Sequence, residues 1–283
     1  MRCHLLAVLV ALTVGSAVAQ PPVPLLTVRR QAADVTTSQQ SGAVSTSDFN
    51  APSLAANNLG AYTSYAFPGL PGGVTGTYTA TAPAGSPTGY GFGLMNDSYG
   101  GSQLAGGGQD NYFTTGGRVG PDGSHLLAAT TTLSLNQTSY YLGVHWMAID
   151  PTNSIRLYKG ATLVDTISAQ YVLADVGLSA GTAYNGTNKR SADGTVARTN
   201  ASEKYAYLNI YANSLGQGFD RVEFDNSTNG SGFESDNHTL GFSLIDPAQQ
   251  AGVVLVLVPV PEPAGLLAAA GGLLLAARRL RRG

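Results

Sequence analysis

The chain has 283 residues, 17 Asp and Glu against 15 Lys and Arg, a net charge of −2, and one cysteine, Cys3. A lone thiol at the extreme N-terminus excludes a disulfide framework and a cysteine metal site. So small a basic content, with no basic run outside the C-terminus, excludes a nucleic-acid surface, and the abundance of Gly, Ser, Thr and Asn suits an exported β-protein with long polar loops.

Arg2 and His4 precede an apolar run, Leu5 to Val14, and Ala17-Val18-Ala19 follows as an A-x-A exit. This order predicts a signal peptide over 1–19, export by the Sec machinery, and a mature chain beginning at Gln20. Residues 20–58 are rich in Pro, Ala, Ser, Thr and Gln without a sustained period, which predicts a flexible leader with one edge strand at most.

From 59 the pattern turns to short alternating segments: Tyr62 to Phe67, Val74 to Ala80 and Tyr90 to Met95, with Pro68-Gly69 and Pro71-Gly72-Gly73 as turns. Residues 96–124 are Gly-rich but hold no phosphate loop, so a surface loop is expected there. Leu126 to Leu135 and Ser139 to Ile149 read as paired strands. Tyr140, Leu142, Val144 and Trp146 share one face of the second, and Tyr141, His145 and Met147 share the other. Asp150-Pro-Thr-Asn153 is a tight turn, since Asp and Asn bond to their own backbone and Pro presets its angle. Ile155 to Tyr158 and Thr162 to Ile167 complete an expected meander. Gln170 to Val176 suits one or two helical turns, and 177–202 suits a polar loop. Tyr205 to Tyr211, Phe219 to Phe224 and Thr239 to Leu244 supply the remaining strands, with Phe219, Val222 and Phe224 as core candidates. Short strands at even spacing predict an all-β, antiparallel two-sheet β-sandwich, jelly-roll-like, over 59–246, followed by a linker at 247–259.

The chain closes on Val260-Pro261-Glu262-Pro263-Ala264, an Ala/Gly/Leu run over 264–277, and Arg278, Arg279, Arg281 and Arg282. As a helix, 264–277 would span roughly 21 Å, short of the ~30 Å hydrocarbon core, with its arginines held on the cytoplasmic side. Pro261 and Pro263 block an earlier helix start. This order resembles the PEP-CTERM sorting signal, a tail also labelled the C-terminal domain of ice-binding proteins; the alternative is a generic tail-anchored span. The resemblance covers 260–283 and implies recognition by an exosortase, transient membrane attachment through the helix, and processing. Setting aside Arg2 and the four tail arginines leaves 10 of the 15 basic residues, and setting aside Glu262 leaves 16 of the 17 acidic ones, so the exported part carries −6. More loosely, 130–245 resembles the globular domain of a group of PEP-CTERM surface proteins, through Tyr141 to Trp146, Ile149-Asp150, Asn153, Phe219 to Val222 and Phe233 to His238. Met147-Ala148 stands where that group favours Gly-Ser.

Three chemistries compete with a purely structural role. Glu234, Asp236 and Asn237, joined by Asp150 and Asn153 from the hairpin turn, offer hard oxygens for a structural Ca²⁺; the alternative is Asx turns and strand-end caps. Asp225, Asn226 and Asn229 are weaker candidates. Tyr211, Tyr184, Tyr112 and Tyr99, in or near polar loops, could stack on sugar rings, against the alternative of sheet packing. Of the histidines, only His125, His145 and His238 lie beyond the signal, and neither paired histidines nor a G-x-S-x-G elbow is present, so no catalytic residue is assigned. The expected function is that of an exported, exosortase-processed surface or matrix protein without catalysis, linked to extracellular polysaccharide, with no nucleic-acid partner. Its rivals are a surface-displayed glycan-binding module and a secreted glycan hydrolase, whose carboxylate pair only spatial separation could reveal.

Overall fold

The computed structural model describes residues 25–33, 35–40, 43–51, 58–80, 92–96, 111–115, 118–119, 125–126, 128–179, 184–190, 196–227 and 232–255. The expected signal over 1–19, the sorting motif from Val260 to Ala264 and the arginines Arg278 to Arg282 lie outside them.

In chain order the strands are β1 (Leu26–Arg30), β2 (Val44–Ser47), β3 (Asn58–Tyr62), β4 (Ser64–Ala66), β5 (Gly76–Ala80), β6 (Phe92–Asn96) and β7 (Tyr112–Thr115), followed by the paired two-residue strands β8 (Arg118–Val119) and β9 (His125–Leu126). Then come β10 (Ala129–Ser139), β11 (Tyr141–Met147), β12 (Asn153–Lys159), β13 (Thr162–Ser168), the helix α1 (Ala169–Ser179), β14 (Asn185–Arg190), β15 (Val196–Lys204), β16 (Ala206–Ala212), β17 (Phe219–Asn226), β18 (Phe233–Gly241) and β19 (Val253–Leu255). One sheet has nine strands, β19-β1-β16-β11-β18-β7-β6-β3, with β2 also on β18; the other has six, β13-β12-β17-β10-β5-β4. The pairings within both are antiparallel.

Period-two alternation builds the core between the sheets. Leu142, Val144 and Trp146 of β11 and Ala206, Leu208 and Ile210 of β16 turn inward from one side. Leu133 of β10, Ile155 and Leu157 of β12 and Val222 and Phe224 of β17 meet them from the other. The two inner faces touch directly, with Phe113 and Phe224 rings 5.3 Å apart and Phe224 stacked on His238 at 4.6 Å. The helix closes one end through Ala169, Val172 and Val176, a buried stripe at helical spacing. Asp175 of that helix pairs with the buried Arg30 of β1.

Several expectations shift. Strands β1 and β2 lie inside 20–58, the segment expected as a flexible leader, because Leu26 and Val28 bury one side of β1 between β16 and β19. Strand β19 lies inside 247–259, the expected linker, and pairs Val28 with Leu255. The folded region therefore extends on both sides of 59–246. The expected meander is not continuous, since β10 and β11 belong to different sheets. The chain crosses over at Ser139, whose hydroxyl donates to the carbonyls of Tyr141 and Gly241 at 2.9 Å each. Only β12 and β13 form the hairpin foreseen. The helix runs on to Ser179, and within 177–202, expected as loop, β14 and β15 pair. Strand β7 emerges from the glycine-rich stretch, with 97–110 outside the described residues.

The outer face of the nine-stranded sheet is covered rather than wet. Ser38 hydrogen-bonds the Tyr141 hydroxyl at 2.8 Å, Gln40 Nε2 donates to Tyr211 OH at 2.7 Å, and Asn237 Nδ2 donates to the Thr36 carbonyl at 2.9 Å. This is why β11 and β16 are buried on both faces. The hydroxyls of Tyr141 and Tyr207 meet over Gly143, in space that a Cβ there would need. Among the described residues no helix is long and apolar enough to cross a membrane.

Candidate functional site

The Asp150 turn forms as expected, closed by Asn153 N donating to the Asp150 carbonyl at 3.0 Å. Gly232, at the entrance to β18, lies against it. The Gly232 N–H donates to Asp150, and Asn153 Nδ2 donates to the Gly232 carbonyl at 2.6 Å. Glu234 Oε1 occupies the space a side chain on Gly232 would fill. Ser227 Oγ ties the same turn to β17 by donating to the Thr152 carbonyl at 2.9 Å. Burial raises the pKa of half-buried Asp150, and the Gly232 N–H partly opposes the shift. Asn153 is 1% exposed and its Oδ1 has no donor. An unsatisfied buried acceptor costs about 1–3 kcal/mol.

Asp236 and Asn237 belong elsewhere. Glu234 and Asp236 do share a face, opposite Met147 and His145 of β11. But Asp236 is fully buried, and its carboxylate accepts from Asn237 N at 2.6 Å and from Asn237 Nδ2 at 3.2 Å. Asn237 has φ of 50°, a left-handed conformation that Asn tolerates, and the β11–β18 register slips beside it. The five predicted ligands thus divide into a group of three around Gly232 and a bulge pair. Among the described residues no three His, Asp or Glu side chains gather as metal ligands.

The bulge also turns His238 inward. Its Nδ1 shares a 2.9 Å hydrogen bond with Tyr78 OH of the opposite sheet, and its Nε2 a 2.8 Å bond with Ser235 Oγ. His145 is 4% exposed, edge-on to Tyr205, with no hydrogen-bond partner on either ring nitrogen. Burial lowers both histidine pKa values to about 3. Neither meets solvent, and the His125 side chain lies outside the described set.

The tyrosines proposed as a sugar-stacking rim are core residues. Tyr211, Tyr112 and Tyr184 are at most 5% exposed. Each hydroxyl is engaged: with Gln40 Nε2, with Met95 Sδ at 3.8 Å, and with the Gln31 carbonyl at 2.8 Å. Tyr99 lies outside the described residues.

A groove of about 660 Å³ that sequence reasoning missed opens on the outer face of the six-stranded sheet. Its floor is a register row, Thr79–Thr132–Glu223–Arg156, across β5, β10, β17 and β12. Arg156 Nη2 donates to Asp225 Oδ1 at 3.0 Å, and Thr130 donates to the same carboxylate. Arg156 Nε lies 3.1 Å from Glu223 Oε2, close enough for an ion pair but not aligned for a hydrogen bond. Hydroxyls, a fixed guanidinium and two carboxylates can together hydrogen-bond a polyhydroxylated ligand. The outward alternation of Arg156 between Ile155 and Leu157 was the available signal. Compared with known proteins, the chain matches no family model, no curated protein and no solved structure.

Proposed function

We propose that the chain is an exported, exosortase-processed protein of the cell surface or extracellular matrix, without catalysis of its own, working beside extracellular polysaccharide. We read its sandwich as jelly-roll-like. The observation that carries this reading is the order of the C-terminal sequence, Val260-Pro-Glu-Pro263, the Ala/Gly/Leu run over 264–277, and Arg278, Arg279, Arg281 and Arg282. The enclosure of His145 and His238 supports a non-catalytic role. Intact mass of surface-released protein tests it. Loss of the 264–277 run and the arginines, with cleavage near Pro261 to Ala264, is expected; mature protein still carrying Arg281 and Arg282 refutes processing.

The groove on the six-stranded sheet favours a second reading, a surface-displayed glycan-binding module. Pull-down on insoluble polysaccharides separates the two. Retention that Arg156→Ala abolishes supports the module, and absence of retention leaves the structural role.

A further inference from the structure

We propose that the oxygen cluster at the Asp150 turn is a Ca²⁺ site built from Asp150, Asn153 and Glu234 around Gly232, with Asp236 and Asn237 excluded. Two features carry it together. The first is convergence: three oxygen-bearing side chains, from the turn that carries the chain from β11 to β12 in the other sheet and from the start of β18, flank one glycine. A side chain at 232 would displace Glu234, so the absence of a Cβ is what lets that carboxylate approach the turn.

The second is Asn153 itself. It is 1% exposed, and its Oδ1 has no donor. Its amide orientation is fixed, because a flip would set Oδ1 against the Gly232 carbonyl, oxygen facing oxygen. The buried acceptor therefore belongs to a group gathered around Gly232 that includes two carboxylates, and it has nothing to satisfy it, which is the environment a hard cation completes. Carboxylate and amide oxygens without imidazole or thiolate select a hard ion over zinc. A site drawn from a turn and a strand entrance, with irregular spacing, suits the flexible six- to eight-fold coordination of Ca²⁺ better than the strict octahedron of Mg²⁺. Asp236 is excluded because Asn237 N and Nδ2 already occupy its carboxylate.

The chain's only tryptophan supplies the probe. Trp146 stacks on Phe233, next to Glu234, with ring centroids 4.8 Å apart, so it can sensitise Tb³⁺ bound at this site. With purified full-length protein, excitation of Trp146 is expected to give Tb³⁺ emission that Ca²⁺ displaces with a dissociation constant of about 10⁻⁴–10⁻³ M, the range of extracellular modules. Ca²⁺ should also raise the melting temperature above that in chelator. Asp150→Asn and Glu234→Gln should each lose both effects, and Asp236→Asn should keep both. Asn153→Asp, which adds a charge at the orphan oxygen, should melt lower in chelator and bind Ca²⁺ more tightly. Identical melting curves in chelator and Ca²⁺ would overturn the site, as would loss of both effects in Asp236→Asn with retention in Asp150→Asn. Should Asp150→Asn fail to fold, unchanged Ca²⁺ affinity in Asn153→Asp refutes it alone. None of these outcomes depends on whether the tail is processed.

Discussion

Trp146 tests the core most directly. It is fully enclosed, stacked on Phe233 with 25° between ring planes, and its indole Nε1 is buried without an acceptor. Two substitutions should therefore diverge. Trp146→Ala removes the ring and leaves a cavity the sheets cannot close, at a cost of about 3–5 kcal/mol. Trp146→Phe keeps a ring against Phe233 and opens a smaller void worth about 1 kcal/mol. It also deletes an N–H whose unsatisfied burial costs about 1–3 kcal/mol, so the net should lie between zero and about 2 kcal/mol in favour of the variant. With a urea slope of about 3 kcal/mol per molar, the Ala variant's midpoint should drop by about 1–1.7 M and the Phe variant's should hold or rise by up to about 0.7 M. Circular dichroism reads both, since neither variant retains a tryptophan. Equal losses for Ala and Phe would refute the unsatisfied N–H, and a parent emission maximum typical of hydrated indole would refute the burial itself.

Acid should destabilise the fold through its two buried histidines. Each stays neutral in the folded chain down to about pH 3, whereas the unfolded chain takes up a proton near pH 6.5, so the stability present above the unfolded value is lost as pH falls from there toward the folded one. At pH 5 the loss is about 2 kcal/mol per histidine. His145→Leu should be near neutral at pH 7, because it removes no hydrogen bond, and should halve the fall in urea midpoint between pH 7 and pH 5; an unchanged fall would contradict the assignment. Gly143→Ala should cost about 1–3 kcal/mol by driving a methyl into the Tyr141 and Tyr207 hydroxyls. Adding Tyr207→Phe should recover part of that loss in thermal melts, and a parent-like melting curve for Gly143→Ala alone would rule out the crowding.

What the sequence carries well is local. Alternation alone placed Leu142, Val144 and Trp146 on one face of β11, and turn chemistry alone placed the Asp150 turn, though it links the two sheets and closes no hairpin. What it carries poorly is which strands become neighbours. Leu126 to Ile149 reads as a pair because the strands are adjacent in sequence, yet Ser139 lets the chain change sheets between them. Tyr211 fails as a sugar-stacking residue for a related reason. A Tyr on the second face of a strand looks available for a ligand unless another segment covers it, and the cover here is Thr36 to Gln40, a polar stretch with no period to announce it. Strand β1 is hidden likewise, as a brief alternation within a Pro- and Gln-rich segment.

The acidic cluster shows how one residue decides the outcome. Read as uninterrupted strand, Phe233 to Thr239 puts Phe233, Ser235 and Asn237 on one face, and Glu234, Asp236 and His238 on the other. The left-handed Asn237 adds a residue to β18 against β11, and from that point the faces exchange. His238 then joins Phe233 and Ser235 inside, where Tyr78 reaches it from the opposite sheet. Asp236 is spent holding the bulge, through the two nitrogens of the residue that makes it. Glu234 lies before the exchange and stays with the Asp150 turn. Carboxylates two residues apart on one face therefore serve different ends, one held by the nitrogens of Asn237 and the other set against Gly232.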